Sequence, residues 1–155
     1  MGDFAVARLF AGDIGPMRSA LALYAEAFEE PETYLERQPD DAYLSRLLSD
    51  SGFIQLVAEE EEGRLVGALS AYVLAKFEQA RSEIYIYDLA VAADRRRRGI
   101  ATALIRALDP IAAEVDAWVV YVQADHGDEP AIALYDSLGE REDVLHFDIA
   151  PEKLR

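Results

Sequence analysis

The chain has no cysteine, which excludes disulfides, thiolate metal sites and a cysteine nucleophile. Histidine is nearly absent: only His126 and His146 occur, without H-x-x-x-H spacing and without a serine motif beside them. That pattern speaks against a zinc site and against a hydrolase triad, so no metal is expected. No stretch approaches the roughly eighteen uninterrupted apolar residues of a membrane span. Met1 to Phe10 lacks a charged segment followed by an apolar run, so no leader is expected. Cations are scarce too, with 15 Lys+Arg against 30 Asp+Glu and a formal net charge of −15. Such a surface repels nucleic acid. A soluble cytoplasmic protein with neither nucleic-acid nor membrane partners is predicted. The 155 residues, 52% of them apolar, can bury one sizeable core and are too few for two ordinary domains, so 1–155 reads as a single domain.

Four of the fifteen cations stand consecutively, Arg95 to Arg98. They follow an apolar strand closing at Leu89-Ala90-Val91 and precede a helix with Ile100, Leu104, Ile105 and Leu108 on one face. A strand that passes through a basic, glycine-containing turn into a helix aims free backbone N–H groups and the positive end of the helix dipole at one point. Arginines there oppose the dipole unless an anion is present, and Gly99 lets a ligand approach the backbone. The junction is suited to a pyrophosphate.

Around it, periodicity predicts a strand over Ala5 to Phe10, a helix capped by Asp13 running to Phe28, and a short helix capped by Asp40 that buries Tyr43, Leu44, Leu47 and Leu48. A hairpin is expected from Phe53 to Glu59 and Leu65 to Val73, then a strand from Glu83 to Val91. The helix from about Arg98 should reach about Asp116, with Pro110 kinking it or splitting off its last turn. A buried strand Trp118 to Ala124, a helix Pro130 to Leu138 and a closing strand Val144 to Ile149 complete the chain. This order gives an α/β three-layer sandwich around a mixed sheet.

The string Arg96-Arg97-Arg98-Gly99-Ile100-Ala101-Thr102 resembles the Q/R-x-x-G-x-G/A acetyl-coenzyme A motif of the GNAT superfamily, with Ala101 where a second glycine is common. Longer strings, Ser82 to Val91, Tyr121 to Asp125 and His146 to Ile149, resemble the aminoglycoside 3-N-acetyltransferases of the gentamicin acetyltransferase type. The similarity runs from roughly Met17 to Ile149. It implies a GNAT-type sandwich in which the strands Glu83 to Val91 and Trp118 to Ala124 splay apart and acetyl-CoA wedges between them. The resemblance also implies that the backbone of Leu89, Ala90 and Val91 pairs with the pantetheine arm. It gives the pyrophosphate to the amides of Arg97 to Thr102. Tyr135 matches a position where these enzymes commonly keep a tyrosine that protonates the coenzyme A sulfur. Its phenol, with an ordinary pKa near 10, roughly matches a thiol at about 8.5.

Asp88 directly precedes the Leu89-Ala90-Val91 backbone, which makes it the candidate base and anchor for an acceptor amine. Glu83 is the second candidate: five residues away, it faces the other side of the strand unless a bulge intervenes. Asp125, Asp128 and Glu129 lie at the end of the other splayed strand, where ligands bind in open α/β sheets. Together with Asp88 they suit a small polycationic substrate such as an aminoglycoside. Capping of the next helix explains one of these carboxylates. Glu36, Asp40 and Asp41 are candidates for the rest of the acceptor wall. Tyr85 and Tyr87 share a face and either line the cleft or pack in the core. The expectation is acetyl transfer to the 3-amine of a gentamicin-like antibiotic, conferring resistance. A polyamine acetyltransferase and a non-catalytic acyl-CoA binding module are the alternatives. Homodimerisation through the terminal strands is a further expectation.

Overall fold

The computed structural model describes residues 3–155; Met1 and Gly2, the head of the expected single domain and of the leader reading, lie outside the described residues. The chain divides into a compact unit ending at Gln123 and a second unit, Ala124–Arg155.

The first unit is built on five strands: β1 (Phe4–Arg8), β2 (Phe53–Glu60), β3 (Leu65–Ala75), β4 (Ser82–Val91) and β5 (Ala117–Val122), in that spatial order. The first three pairings are antiparallel, and β4 with β5 is parallel. A parallel pair needs a crossover. It is made here by α4 (Ile100–Arg106) and α5 (Leu108–Glu114), while α1 (Ile14–Ala27), α2 (Pro31–Tyr34) and α3 (Asp41–Ser49) precede the hairpin. Strand alternation sorts these helices into layers. Gly67 faces Ile100 and Leu104 of α4, whereas Ser70, three residues on and therefore on the opposite face, hydrogen-bonds Tyr24 of α1. The result is the expected mixed-sheet α/β sandwich.

Local chemistry explains most element ends. The Asp40 carboxylate accepts from the Tyr43 N–H at 2.8 Å and caps α3. Asp13 precedes α1 but turns back to accept from the Phe10 N–H instead. Pro31 opens α2 at the first helical position, where its missing N–H costs nothing. Tyr43, placed by spacing in the buried stripe of α3, is 52% exposed; Leu44 and Leu48 carry that face. The expected long helix breaks at Ala107 rather than losing its last turn. Pro110 causes this upstream, because its ring and absent N–H act on the carbonyl four residues back, at Arg106. Strand β5 is less buried than its sequence suggested: Trp118 is exposed, its ring covered by the Arg81 guanidinium at 4.3 Å.

In the second unit, α6 (Glu129–Asp136) begins with Asp128 accepting from the Ala131 N–H. The expected closing strand Val144 to Ile149 does not form. Its alternation suits a strand, but a strand exists only against partner backbone. No strand pairing includes it, and Leu145 and Phe147 stay exposed.

Candidate active site

Strand β4 is longer than its pairing with β5. The two run in parallel from Ser82 beside Ala117 to Ile86 beside Val122, and there the pairing stops. Leu89, Ala90 and Val91 continue with β3 alone, so the β5-facing side of their backbone is unpaired by the sheet.

The antiparallel register of β3 and β4 contains one irregularity. Ser70 lies opposite Asp88 and Ala71 opposite Ile86, so Tyr87 is an extra residue on β4. The bulge shifts the alternation by one and turns Asp88 to the α1 side. There its Oδ2 accepts a 2.9 Å hydrogen bond from the Tyr34 hydroxyl of α2. Its Oδ1 has no hydrogen bond and is not among the buried unpaired atoms of the described residues; it is open to solvent. Burial raises the Asp88 carboxyl above its ordinary range, the Tyr34 hydrogen bond opposes that shift, and the charge of Glu30 reinforces it. Below Asp88 lies a closed polar cluster: Tyr24 Oη and Ser70 Oγ are 2.8 Å apart, Ser70 donates to Gln55 Oε1, and Gln55 Nε2 donates to Tyr24 Oη at 3.2 Å. Burial pushes the Tyr24 phenol well above its usual value. The Tyr24, Phe28 and Tyr34 rings pack within 5.9 Å of one another. This cluster fixes α2 and hence the hydroxyl that holds Asp88.

Glu83 shares the Asp88 side of β4 because of the same bulge, yet its carboxylate is bound to Lys76 at 3.2 Å. Asp40 is the α3 cap, and Asp41 pairs with Arg18, which also holds Gln38 and the Pro39 carbonyl. Asp40 is thus committed to its own helix and Asp41 to joining α1 to α3, and Glu36 makes no side-chain hydrogen bond or ion pair among the described residues.

At the end of β4 the chain passes through a 3₁₀ turn, Ala93–Arg95, into α4. Arg95 is not available to a ligand: it is bound to Glu60 and Asp94. Arg64 donates to both oxygens of Asp94 through paired 2.8 Å bonds, sharing Oδ2 with Arg95, and pulls that carboxyl down to about 2. This network anchors the turn. Arg96, Arg97 and Arg98 are exposed and pair with no carboxylate among the described residues. Arg97 and Gly99 both adopt left-handed backbone, at φ 61° and 78°; such reversals produce concave runs of N–H groups that bind anions. Ile100 is buried, and Ala101 and Thr102 are partly buried in the first turn. The free cations, the left-handed turn and the unpaired β4 edge fit a phosphate-bearing donor with an extended arm.

Asp125, Asp128, Glu129 and Tyr135 all belong to the second unit. Asp128 is committed to the α6 cap, whereas Asp125 and Glu129 are exposed. Burial and the Asp128 charge raise the Tyr135 phenol, which therefore holds its proton at neutral pH. His146 pairs with Asp148 at 2.9 Å. Among the described residues no group of three metal-ligating side chains occurs.

Residues 17–139 match the acetyltransferase (GNAT) family. The chain belongs to that family. Its members are N-acetyltransferases that use acetyl-CoA, the donor that the β4 edge and the arginine turn fit. An aminoglycoside acetyltransferase from an uncultured soil metagenomic sample is 53% identical, with a TM-score of 0.93 over 97% of this chain and 99% of that one. A second, also from uncultured soil and solved in complex with sisomicin, is 32% identical, with a TM-score of 0.86 over 95% of both chains. A mycothiol acetyltransferase of Clavibacter michiganensis subsp. michiganensis (strain NCPPB 382) is 40% identical over 82 residues, which are 52% of this chain and 24% of that protein. The chain thus matches about a quarter of the length of that curated relative.

Tyr34 is the site residue that sequence reasoning missed. It lies 54 positions from Asp88, and its only local signal is a tyrosine placed just after Pro31.

Proposed function

We propose that the protein is an acetyl-CoA-dependent aminoglycoside N-acetyltransferase that modifies the 3-amine of the deoxystreptamine ring of gentamicin-like antibiotics, and that this confers resistance. The observation that carries the reading is Asp88: a carboxylate made more basic by burial, with one oxygen held and the other open, beside the unpaired edge of β4. The similarity to two aminoglycoside acetyltransferases supports the acceptor class.

In this reading both units act as one catalytic domain. Arg96 to Thr102 hold the pyrophosphate, and the N–H groups of Leu89 to Val91 orient the thioester. Asp88 takes a proton from the bound ammonium. The neutral amine attacks the thioester carbonyl carbon and the C–N bond forms, the nitrogen loses its surplus proton to solvent, the C–S bond breaks, and Tyr135 gives its proton to the departing sulfur. Solvent then reprotonates the phenol and takes the proton held by Asp88. Asp125, Asp128 and Glu129 attract the remaining ammonium groups of the acceptor.

The test is thiol release from acetyl-CoA with gentamicin, kanamycin and spermidine offered separately, followed by NMR assignment of the acetylated nitrogen. Turnover of gentamicin well above spermidine, with acetyl on the 3-nitrogen, is expected. Turnover of spermidine alone would replace this reading with a polyamine enzyme. Coenzyme binding without turnover on any acceptor would favour a non-catalytic module.

A further inference from the structure

Four tyrosines in the first unit take no part in the transfer just described. Register places Tyr72 of β3 opposite Tyr85 of β4, and Tyr85 beside Tyr121 of β5. Cross-strand partners share a face, so these rings form a row running across the sheet. Tyr87, the bulge residue, stands over the row: its ring meets Tyr72 at 5.8 Å and Tyr85 at 5.7 Å, both edge to face, while Tyr85 and Tyr121 stack at 4.7 Å. Tyr85 is further fixed by its hydroxyl donating to Gln123 Oε1 at 2.8 Å. The row is not core. Tyr87 is 62% exposed and Tyr72 39%.

Three strands at about 4.8 Å spacing make this row about 10 Å wide, enough for two linked six-membered rings. Its setting is acidic on the working side. Burial does most to raise the Tyr72 and Tyr85 phenols, and the nearby Asp88 charge adds to it. At the far end burial again leads in raising the Tyr121 phenol, with Glu83 adding to it and Lys76 opposing. Tyrosine faces attract ammonium groups and accept apolar C–H faces with little conformational entropy to lose. Charge complementarity therefore selects a cationic occupant, and the flat aromatic row selects a ring-shaped one.

We propose that Tyr72, Tyr87, Tyr85 and Tyr121 form a platform that docks the ammonium-bearing saccharide rings of the acceptor, while Asp88 holds the amine to be acetylated. The inference rests on the aminoglycoside reading and adds to it the residues that distinguish cyclic from linear polyamines.

The experiment is calorimetric titration of the coenzyme A-loaded protein with gentamicin and with spermidine, for the natural sequence and for Tyr87→Ala, Tyr72→Leu, Tyr87→Phe and Tyr72→Phe. The first two variants should weaken gentamicin about tenfold and leave spermidine within twofold. The phenylalanine variants, which keep the rings, should retain gentamicin affinity and show that the fold is intact. Unchanged gentamicin affinity in Tyr87→Ala and Tyr72→Leu would overturn the platform, as would an equal loss for both ligands. Conversion of a dimer to a monomer by these variants in light scattering would overturn it too, by showing that the row covers a second copy. Failure of the natural protein to bind gentamicin at all would instead overturn the aminoglycoside reading, and the platform with it.

Discussion

Replacing Gly67 with alanine should separate donor binding from acceptor binding. Gly67 lies on β3 opposite Val91, and an added Cβ would stand 2.6 Å from Ile100 Cγ2, 3.1 Å from Leu104 Cδ1 and 3.3 Å from Ala58 Cβ. Carbon atoms pack at about 3.5–4.0 Å, so Ile100 would have to retreat by roughly 1 Å. Its β-branched side chain is stiff at χ1 and cannot swing aside. The helix start itself must move, and Ile100 is the first residue after the left-handed Gly99. Overpacking of this kind costs about 1–3 kcal/mol, and relief of glycine's unfolded-state entropy returns about 0.4–1 kcal/mol. The net is a loss of up to about 2.6 kcal/mol, centred at about 1.3 kcal/mol, or a Tm lower by roughly 3–5 °C at the centre of that range for a chain of this size. The displacement falls on the arginine turn, so KM for acetyl-CoA should rise about tenfold or more while KM for the acceptor holds. Urea denaturation and steady-state kinetics with each substrate varied in turn measure both effects. Full stability with an unchanged acetyl-CoA KM would refute the claim that this contact sets the position of the turn.

Asp88→Asn should lower kcat about 10²- to 10⁴-fold and abolish the acidic limb of the pH profile; a rise only in acceptor KM would make Asp88 an anchor rather than a base. Tyr34→Phe removes a hydrogen bond that favours the ionised Asp88 and so lowers its pKa. The base must be ionised to work, so the acidic limb of kcat/KM should move to higher pH, and a uniform loss of activity with an unmoved limb would show a merely structural tyrosine. Gly99→Ala places a side chain at φ 78° where nothing lies within 4 Å of its Cβ, so backbone strain alone should cost about 1–2 kcal/mol; unchanged stability in urea would show that the turn relaxes to another conformation.

Most features fixed by nearest neighbours were legible in the sequence: the Asp40 cap, a carboxylate cap on α6 that proves to be Asp128, the glycine before α4, and the strands that carry continuous apolar runs; the Asp13 cap was the exception, drawn off by the Phe10 N–H. Features that depend on distant partners were not. The break at Ala107 follows from Pro110, but whether a proline kinks or divides a helix depends on the packing of both halves, here α4 against β3 and α5 against β5. The segment 144–149 has the alternation of a strand and lacks the partner that would make it one. Arg95 belongs to the same basic run as Arg96 to Arg98, and only the fold reveals that Glu60, thirty-five positions away, has claimed it.

The decisive illegible feature is a single residue of register. Ile84 and Ile86 lie opposite Val73 and Ala71, on the sheet face that Gly67 presents to α4. Continued alternation would put residue 88 on that same face, which is buried under α4 and of no use to an acceptor. The extra residue, Tyr87, reverses the sense of the strand at that point, because a slip of one residue exchanges its faces. Asp88 then emerges opposite Ser70, within reach of Tyr34 and beside the Tyr72 and Tyr85 rings. The same bulge exposes the Tyr87 ring above that row. Asp88, the Tyr34 hydroxyl and the aromatic row thus come to share one face through an irregularity that no residue of β4 announces, since tyrosine is as much at home in a regular strand as in a bulge.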